Sequence, residues 1–455
     1  MKRIILMVCA ILIVQSCHKQ DEWLDVKSNK ADIIPTTLND FQALLDNNTI
    51  MNTNYPALGI LGSDNLFLSL NVWQSAFNAV ERNSYVWLKD IYEGENSSDW
   101  LYQYQKVAYA NIVLEGLEKI ADKNSISFKT VKASALFYRA FAFYALAVQF
   151  SEPYNQTNLA KRGIVLRYET DVNKIVPRSS IKETYDKIIT DLNIALTDLP
   201  SIQTITTRPS KAVVYGLLAR IYLSMEDYPN AYYNANEALK LYSTLINLRS
   251  LNSSATYPFP TYQNKNPEVI FYATMVNYGI TATTRMQVTQ DLYNQYLGGD
   301  LRKVVFYNNN STGTFFKGYY TGTSGGAFYG IATNELFLIR AEAAARTNKV
   351  SEAMNDLNTL LRTRWITVAA YVDLTAATEF EALKHILRER RKELPFTASI
   401  RWEDLRRLNI DSRFAITLTR ELNGKTYTLP PNDKRYVYPI PDNEVKLNNI
   451  EQNER

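Results

Sequence analysis

The sequence predicts a mostly α-helical single domain, built on about four tetratricopeptide-like helix pairs with long irregular loop insertions and a few short strands. Apolar residues recur with helical spacing in several segments, and small residues stand where paired helices would touch. Between these segments lie long stretches that lack the spacing. The length of 455 residues would by itself suggest about three domains. The recurrence of the helical pattern along the chain favours one domain instead.

The clearest helix pair covers residues 218–239. Its small residues let two antiparallel helices approach closely, and the turn is supplied by Asp227-Tyr228-Pro229. A degenerate copy runs from Ala341 to Leu360. Tandem repeats recur about every 34 residues, so the wide separation of these two copies predicts long insertions between the units. Two further pairs could complete the set: residues 99–119 with 131–150, and residues 181–199 with 210–224.

Two segments show how the helix ends and faces are predicted. Ser180 and Glu183 form a capping box that opens a helix reaching about Leu199, and Pro200 closes it. The segment from Ala133 to Phe150 is apolar almost all round. A membrane span would need about 20 apolar residues, so this segment is predicted to be a helix buried between neighbouring helices.

The predicted insertions cover residues 25–98, 242–332 and 396–440. They contain short strand-like runs and the glycine cluster Gly322–Gly330. This cluster lacks the lysine and the spacing of a phosphate-binding loop, so it is predicted to be a flexible loop. They also hold many of the loop aromatics in a chain with 31 Tyr, 6 Trp and 18 Phe. Aromatic rings with a polar tip suit half-wet surfaces. These rings form either a recognition surface or the packing of long loops.

The N-terminus predicts export and lipid attachment. Residues 1–16 have a basic start and an apolar run, as in a signal peptide, and Cys17 follows at the cleavage point. Such a cysteine is the acceptor that bacterial lipoprotein processing requires. The alternative is an ordinary secretory peptide followed by an incidental cysteine. On the first interpretation, residues 17–30 are a lipid-attached tether and residues 31–455 form the α-rich domain.

Composition excludes several classes of function. Without Lys2 and Arg3 of the signal peptide, the chain has 48 basic and 46 acidic residues, so no charge excess favours nucleic acid. The two cysteines and two histidines exclude cysteine-based redox sites and His-rich metal sites, and no cofactor is predicted. None of the common nucleophile, zinc-protease or P-loop motifs occurs. Paired carboxylates for glycoside hydrolysis cannot be excluded by sequence, but no stretch indicates them. We therefore predict a protein without enzymatic activity.

Eight short motifs occur in order along the chain. They are Asp21-Glu22-Trp23-Leu24-Asp25, Lys132–Tyr144, Val176–Ser180, Arg208–Ala212, Glu268–Phe271, Glu389–Leu394, Arg401–Arg407 and Tyr438–Glu444. Together they resemble the SusD/RagB family of outer-membrane glycan-binding lipoproteins. Within them, Glu389, Arg390, Arg391, Glu393, Arg401 and Asp404 are predicted to form a structural charged network that ties the last helices together.

The resemblance implies a function and a location. It implies non-catalytic binding of an oligosaccharide and its delivery to a SusC-like TonB-dependent transporter of the outer membrane, over which the lipoprotein closes as a lid. It also implies a lipid-anchored position on the outer membrane, facing the cell exterior. Two alternatives stay open. One is a relative in the same family that captures peptides, and the other is a tetratricopeptide scaffold that binds only protein partners.

Sugars present apolar C–H faces and many hydroxyl groups, so a binding site needs flat rings together with polar side chains. From the resemblance and from chain position, the predicted ligand-binding residues are Asp64, Arg82, Trp87, Asn96, Trp100, Tyr257, Tyr278, Phe315 and Tyr319. A site with two or three such rings is expected to bind with micromolar to millimolar affinity.

Overall fold

Long helices packed one after another in chain order form the scaffold of the protein. The computed structural model describes residues 35–263, 265–324 and 326–455. The predicted signal peptide, Cys17 and the tether lie outside the described residues. The helices of the described part are α1 (Leu38–Leu45), α2 (Asn48–Met51), α3 (Leu58–Gly62), α4 (Leu70–Gln74), α5 (Ala79–Tyr85), α6 (Ser98–Leu117), α7 (Ile126–Phe150), α8 (Ile181–Asp198), α9 (Lys211–Ser224), α10 (Tyr228–Leu241), α11 (Gln290–Tyr293), α12 (Arg302–Val305), α13 (Thr333–Arg346), α14 (Val350–Arg362), α15 (Glu379–Glu393), α16 (Ile400–Leu408) and α17 (Asp442–Asn448).

The predicted helix pairs are present. Helix α6 packs against α7, α8 against α9, α9 against α10, and α13 against α14, as predicted; α7 also packs against α8, and α13 against α15. Helix α10 also packs against α13, although the two lie far apart in the chain, and so joins the two halves of the scaffold. The mostly helical fold class is therefore confirmed, whereas the tetratricopeptide-like geometry of each pair stays a prediction.

Local sequence explains where these helices begin and how they are buried. Ser180 and Glu183 form the predicted capping box at the start of α8. Helix α7 is long and apolar enough to cross a membrane, but 94% of its apolar window is buried inside the protein, as predicted for a core helix. Its buried Arg139 is neutralised by Asp191 of α8, which accepts hydrogen bonds from Nε at 2.9 Å and Nη2 at 3.2 Å.

The insertions carry short strands. In the described residues these are β1 (Leu66–Phe67), β2 (Arg162–Val165), β3 (Arg178–Ser180), β4 (Val269–Phe271), β5 (Gln287–Val288), β6 (Tyr307–Asn310), β7 (Gly313–Phe316), β8 (Ile331–Ala332), β9 (Leu418–Leu422) and β10 (Lys425–Leu429). Four of them form one antiparallel sheet in the order β1-β5-β7-β6. The other strands pair two by two, β2 with β3, β4 with β8, and β9 with β10.

The glycine-rich segment is irregular, as predicted, but its second half is packed rather than free. The rings of Phe328 and Tyr329 are buried. A Cβ on Gly330 would lie 1.8 Å from the carbonyl oxygen of Phe271, so only glycine fits there. Burial of two aromatic rings against the core thus fixes a stretch that composition alone assigns to a flexible loop.

The six residues of the predicted charged network are all in ion pairs, but they divide into separate groups: Arg390 pairs with Asp404, Arg391 and Arg401 pair with Asp64, and Glu389 and Glu393 pair with arginines outside the predicted set. Arg302 contacts Asp300 at 2.7 Å, Glu389 at 2.6 Å and Glu393 at 3.1 Å. Arg364 joins the same Glu393 to Glu268, at 2.7 and 2.8 Å. Because these carboxylates are buried and neutralised by arginine, the cluster is a structural tie between α12, α15 and the strand region. No group of three His, Cys, Asp or Glu residues in the described part could hold a metal ion.

Candidate functional site

The four-stranded sheet places four residues in one row across its strands. Phe67 of β1 lies opposite Gln287 of β5, Gln287 lies opposite Phe315 of β7, and Phe315 lies opposite Asn308 of β6. Directly opposed residues in a sheet have side chains on the same face, with Cβ atoms about 4.5–5.5 Å apart. We call Phe67, Gln287, Phe315 and Asn308 the outer row.

The two faces of this sheet differ in exposure. The residues next to the outer row, Leu66, Val288, Phe316 and Tyr307, are buried and join the core. In the outer row Phe67 is 44% exposed, Gln287 and Phe315 are half-buried, and Asn308 is exposed. The sheet therefore has one face packed on the core and one open to solvent, as antiparallel sheets often do.

A glycine in the neighbouring strand leaves room for the Gln287 amide. Gly313 of β7 has φ +152°, and a Cβ built on it would lie 2.4 Å from Gln287 Oε1. Any larger residue at this position would push the Gln287 amide away. Within the described residues, the side chains of Gln287 and Asn308 make no hydrogen bond, so both amides are free to donate to and accept from a ligand.

The outer row alternates ring, amide, ring, amide. Neighbouring strands are about 4.8 Å apart, so the row extends about 14 Å across four strands. Rings supply apolar area and amides supply both donors and acceptors. Such a strip suits an elongated ligand that has apolar faces and hydroxyl groups, and it contains no acid, base or nucleophile.

A further exposed ring comes shortly after strand β1 in the chain. Phe77, between α4 and α5, is 93% exposed. Its loop is held from both sides, since Trp73 Nε1 donates to the carbonyl of Arg82 at 3.0 Å and Arg82 Nη1 donates to the carbonyl of Ala76 at 2.6 Å. The loop thus presents a phenyl ring to solvent on a backbone fixed by hydrogen bonds.

Four of the predicted ligand-binding residues are enclosed in the core. Trp87 is 2% exposed, donates from Nε1 to the carbonyl of Gly62 at 2.9 Å, and lies under the guanidinium of Arg420. Trp100 is buried against Tyr104 and Phe150, with ring centroids 4.8 and 5.1 Å away. In this structure neither indole offers a face on which a ligand could stack.

Two buried tyrosines also bind protein groups. The hydroxyl of Tyr278 donates to Asp99 Oδ1 at 2.9 Å, and the hydroxyl of Tyr319 donates to the carbonyl of Thr281 at 3.1 Å. Burial raises the pKa of Asp99 to about 6, although hydrogen bonds from Leu58 N, the Tyr278 hydroxyl and Ala57 N act against this rise. Both tyrosines therefore belong to the packing beneath the loops.

Asp64 is engaged in ion pairs. It contacts Arg401 at 2.7 Å and Arg391 at 3.1 Å. Burial by itself would raise the pKa of Asp64, but the two guanidinium groups outweigh it and hold the pKa well below its usual range. This carboxylate links the loop before β1 to helices α15 and α16.

The remaining four predicted residues keep some exposure but do not form one cluster. Phe315 is a member of the outer row, and Arg82 holds the Phe77 loop. Tyr257 is half-buried. Asn96 is exposed and accepts a hydrogen bond from Asn443 near the C-terminus at 2.7 Å. The assignment of these nine residues to ligand binding stays a prediction.

Phe67, Gln287, Asn308 and Phe77 were missed by sequence reasoning. The sequence does indicate the hairpin of β6 and β7, because the run Asn308–Gly313 between two aromatic-containing segments is typical of a β-hairpin turn. The pairing of β1 with β5 had no local signal, since the two strands are short and far apart in the chain.

Comparison with known proteins gives consistent matches along the chain. A family model described as "SusD family" matches residues 220–455, and a model described as "Starch-binding associating with outer membrane" matches residues 22–223. The chain is 31% identical over 179 residues to the SusD-like protein P2 of Formosa agariphila. That alignment covers 37% of this chain and 34% of the relative, so it spans about a third of the relative's length.

Solved structures are similar over nearly the whole chain. A putative sugar binding protein from Bacteroides vulgatus has a TM-score of 0.74 at 20% identity, covering 93% of this chain and 99% of that one. A SusD superfamily protein from Bacteroides thetaiotaomicron has a TM-score of 0.72 at 20% identity, covering 92% and 100%. Surface glycan-binding protein A from Bacteroides fluxus has a TM-score of 0.69 at 17% identity, covering 92% and 99%. At these identities the likeness establishes the fold.

Proposed function

Because this chain belongs to the SusD family, we propose that it is a cell-surface lipoprotein that binds oligosaccharides without cleaving them and delivers them to a TonB-dependent outer-membrane transporter. The observation that carries the proposal is the outer row of Phe67, Gln287, Phe315 and Asn308 on the open face of the sheet. Membership in a family of carbohydrate-binding proteins supports it, as do relatives described as sugar-binding and glycan-binding.

The chemistry of the outer row fits a sugar chain. The rings of Phe67 and Phe315 can cover the C–H faces of sugar units, and the free amides of Gln287 and Asn308 can hold hydroxyl groups as donors and acceptors. Neither amide has a partner in the described residues that a sugar would have to displace.

The size of the row predicts weak binding. Covering one face of a phenyl ring removes about 100 Å² of apolar surface from water, which contributes about 2.5 kcal/mol. Two rings and three hydrogen bonds of about 1 kcal/mol each sum to about 8 kcal/mol, against an association cost of at least about 4 kcal/mol. At most about 4 kcal/mol is then left for binding, so the expected dissociation constant is about 1 mM or weaker. Weak capture suits a protein that hands its ligand onward.

Binding without turnover is proposed because the outer row has no carboxylate. Glycoside hydrolysis needs two carboxyl groups on either side of the scissile bond, about 5–10 Å apart. The buried acids Glu268, Glu389 and Glu393 are neutralised by Arg302 and Arg364. They serve the core and are enclosed away from solvent.

Surface anchoring is proposed from the N-terminal sequence. Cys17 follows a signal-peptide pattern, and the family model for residues 22–223 is described as associating with the outer membrane. A single acyl chain binds a membrane reversibly, whereas several chains hold firmly. Triacylation of Cys17 would keep the protein at the surface while its body moves over the transporter. Mass spectrometry of the native protein tests this, because an unmodified cysteine would refute anchoring.

The binding proposal is tested by calorimetric titration of the purified lipoprotein with neutral and acidic hexasaccharides and with a peptide digest. The double variant Phe67→Ala/Phe315→Ala is expected to lose at least tenfold in affinity for the hexasaccharide that binds. Phe380→Ala is the matched control, since Phe380 of α15 is a partly exposed phenylalanine outside the sheet. Its affinity is expected to equal that of the wild-type protein.

Other outcomes of the titration would support one of the alternative functions. Binding of peptides and of no sugar would identify a peptide-capturing member of the family. Binding of neither, together with co-purification of a transporter, would indicate a scaffold that recognises only protein partners. Release of sugar products during the titration would refute the proposal of binding without turnover.

A further inference from the structure

Two cations lie beside the outer row, on its two central strands. The register that pairs Gln287 of β5 with Phe315 of β7 continues past these residues, since the next amide of β7 donates to the preceding carbonyl of β5 at 3.2 Å. The following step of the same register brings Arg285 opposite Lys317. Because side chains alternate along extended backbone, both cations lie on the face of Gln287 and Phe315. Each is half-buried, and we call them the cationic pair.

The guanidinium of Arg285 is free to bind a ligand. It makes no ion pair and no hydrogen bond within the described residues. Its nitrogen atoms keep contact with solvent, unlike Arg390 Nη1, which also lacks a partner but is enclosed in the core. A guanidinium presents its N–H donors as a planar fork that fits the two oxygens of a carboxylate. Arg285 therefore offers an accessible anion-binding group next to the rings and amides.

The ammonium of Lys317 is held in place but is not neutralised. Its Nζ donates to the backbone carbonyl oxygens of Ser253 and Ala255, and no carboxylate of the described residues lies within ion-pair distance. Partial burial lowers the pKa of Lys317, and no neighbouring acid acts against this effect. An ammonium has three donors, so one remains for a ligand.

Acidic side chains are missing from the segments that surround the open face of the sheet. The segments without any Asp or Glu are residues 65–80, 242–267, 269–290 and 306–334. The acids at their ends are occupied, since buried Glu81 accepts a hydrogen bond from Ile280 N at 2.8 Å and Asp291 pairs with Arg391 at 2.7 Å. The charge of the cationic pair is therefore left uncompensated at this face, where it would attract anions.

An anion between the two cations would be favoured for two reasons. Like charges directly opposite each other destabilise a sheet, so an anion would relieve that repulsion. It would also gain charge-assisted hydrogen bonds, which are stronger than those between neutral groups. We propose that the outer row selects acidic oligosaccharides, with Arg285 and Lys317 binding a carboxylate or sulfate group of the sugar. This inference rests on the proposed function, because it assigns a ligand class to the same row.

The test is a calorimetric titration of the purified lipoprotein with hexasaccharides that differ only in charge. Hexagalacturonate and hexamannuronate are compared with their methyl esters, and a κ-carrageenan hexasaccharide is compared with its desulfated form. We expect at least one acidic chain to bind about tenfold more tightly than its neutral counterpart. The preference should shrink in about 0.5 M NaCl, because salt screens partly exposed charges. Which acidic chain binds distinguishes uronate from sulfate.

Variants of the cationic pair locate the source of the preference. Arg285→Gln should weaken binding of the acidic chain about tenfold and leave binding of its neutral counterpart unchanged, whereas Arg285→Lys should keep most of the preference. Lys317→Gln should weaken acidic binding about threefold to tenfold. The matched control is Lys129→Gln, which removes an exposed charge of α7 and should change neither affinity. Because Arg285 has no partner to lose, the melting temperature of Arg285→Gln should equal that of the wild-type protein.

The outcomes separate this inference from the proposed function. Equal or tighter binding of the neutral forms, or an unchanged preference in Arg285→Gln, would overturn the selection of acidic sugars. The outer-row proposal would survive those results if Phe67→Ala/Phe315→Ala still weakened binding of the neutral chain. Binding of no hexasaccharide, acidic or neutral, would refute the proposed function and this inference with it.

Discussion

Arg401 donates to both carboxylate oxygens of Asp64, from Nε at 2.7 Å and from Nη2 at 2.8 Å. This bidentate pair joins the loop before β1 to helix α16 and so fixes one edge of the sheet that carries the outer row. Paired, planar contacts of this kind are among the stronger charge-assisted hydrogen bonds. Asp64, which chain position and the family resemblance mark as a ligand residue, has both carboxylate oxygens bound to Arg401 in this structure.

Asp64→Asn is expected to lower the free energy of unfolding by about 3 kcal/mol, because it leaves the largely buried guanidinium of Arg401 without its carboxylate partner. Asp291→Asn is the matched control. Asp291 contacts the same Arg391 at 2.7 Å but is mostly exposed, so its loss should cost less than about 1 kcal/mol. Urea denaturation measures both. Weakened oligosaccharide binding by Asp64→Asn with little change in stability would instead identify Asp64 as a ligand residue.

Lys106 is buried in α6 and lies 4.6 Å from the ring centre of Tyr55, with no carboxylate within ion-pair distance in the described residues. Burial lowers its pKa to about 7. Between pH 7 and about 10 the unfolded chain therefore binds more protons at this position, so stability should rise with pH, by up to about 1.4 kcal/mol per pH unit.

Lys106→Met should remove this slope and stabilise the protein at pH 7. The measurement is urea denaturation at pH 7 and pH 9, with the exposed Lys129→Met as the control. A wild-type slope that persists unchanged in Lys106→Met would show that Lys106 is not its source.

Glu403 of α16 accepts a hydrogen bond from the Tyr144 hydroxyl at 2.8 Å, while its Oε1 has no partner among the described residues. Burial raises its pKa to about 7, despite the nearby charge of Arg220. The folded protein thus holds a proton that the unfolded chain releases above about pH 4.5, so stability should fall as pH rises from 4.5 to 7.

Glu403→Gln mimics the protonated acid. It is expected to change the free energy of unfolding little at pH 4.5 and to raise it by up to about 3 kcal/mol at pH 8. Thermal or urea unfolding at the two pH values gives the comparison. If the difference in stability between Glu403→Gln and the wild-type protein is the same at both pH values, Glu403 does not titrate in this range.

Gly313→Ala tests the link between backbone and binding. The added methyl group would occupy the space of the Gln287 amide and would stand on a backbone with positive φ. We expect a stability loss of about 1 kcal/mol and a clear loss of oligosaccharide affinity, since the Gln287 amide must leave the row. If affinity is unchanged although Gln287 has moved, the amide is not a ligand group.

Sequence reasoning succeeded where the cause is local. The capping box at Ser180 and the apolar run of α7 are determined by residues within a few turns, so helix positions could be predicted. The burial of Trp87 under Arg420 and against Gly62, and the pairing of Phe67 with Gln287, could not be predicted, because both depend on contacts between distant segments. Which aromatic residue faces solvent is a tertiary property that residue type does not encode.

The most direct test of the account is a crystal structure of the lipoprotein with the oligosaccharide that titration identifies. The account predicts a sugar ring stacked on Phe67 or Phe315, with hydroxyl groups hydrogen-bonded to the amides of Gln287 and Asn308. A ligand bound with no contact to any of these four residues would contradict it.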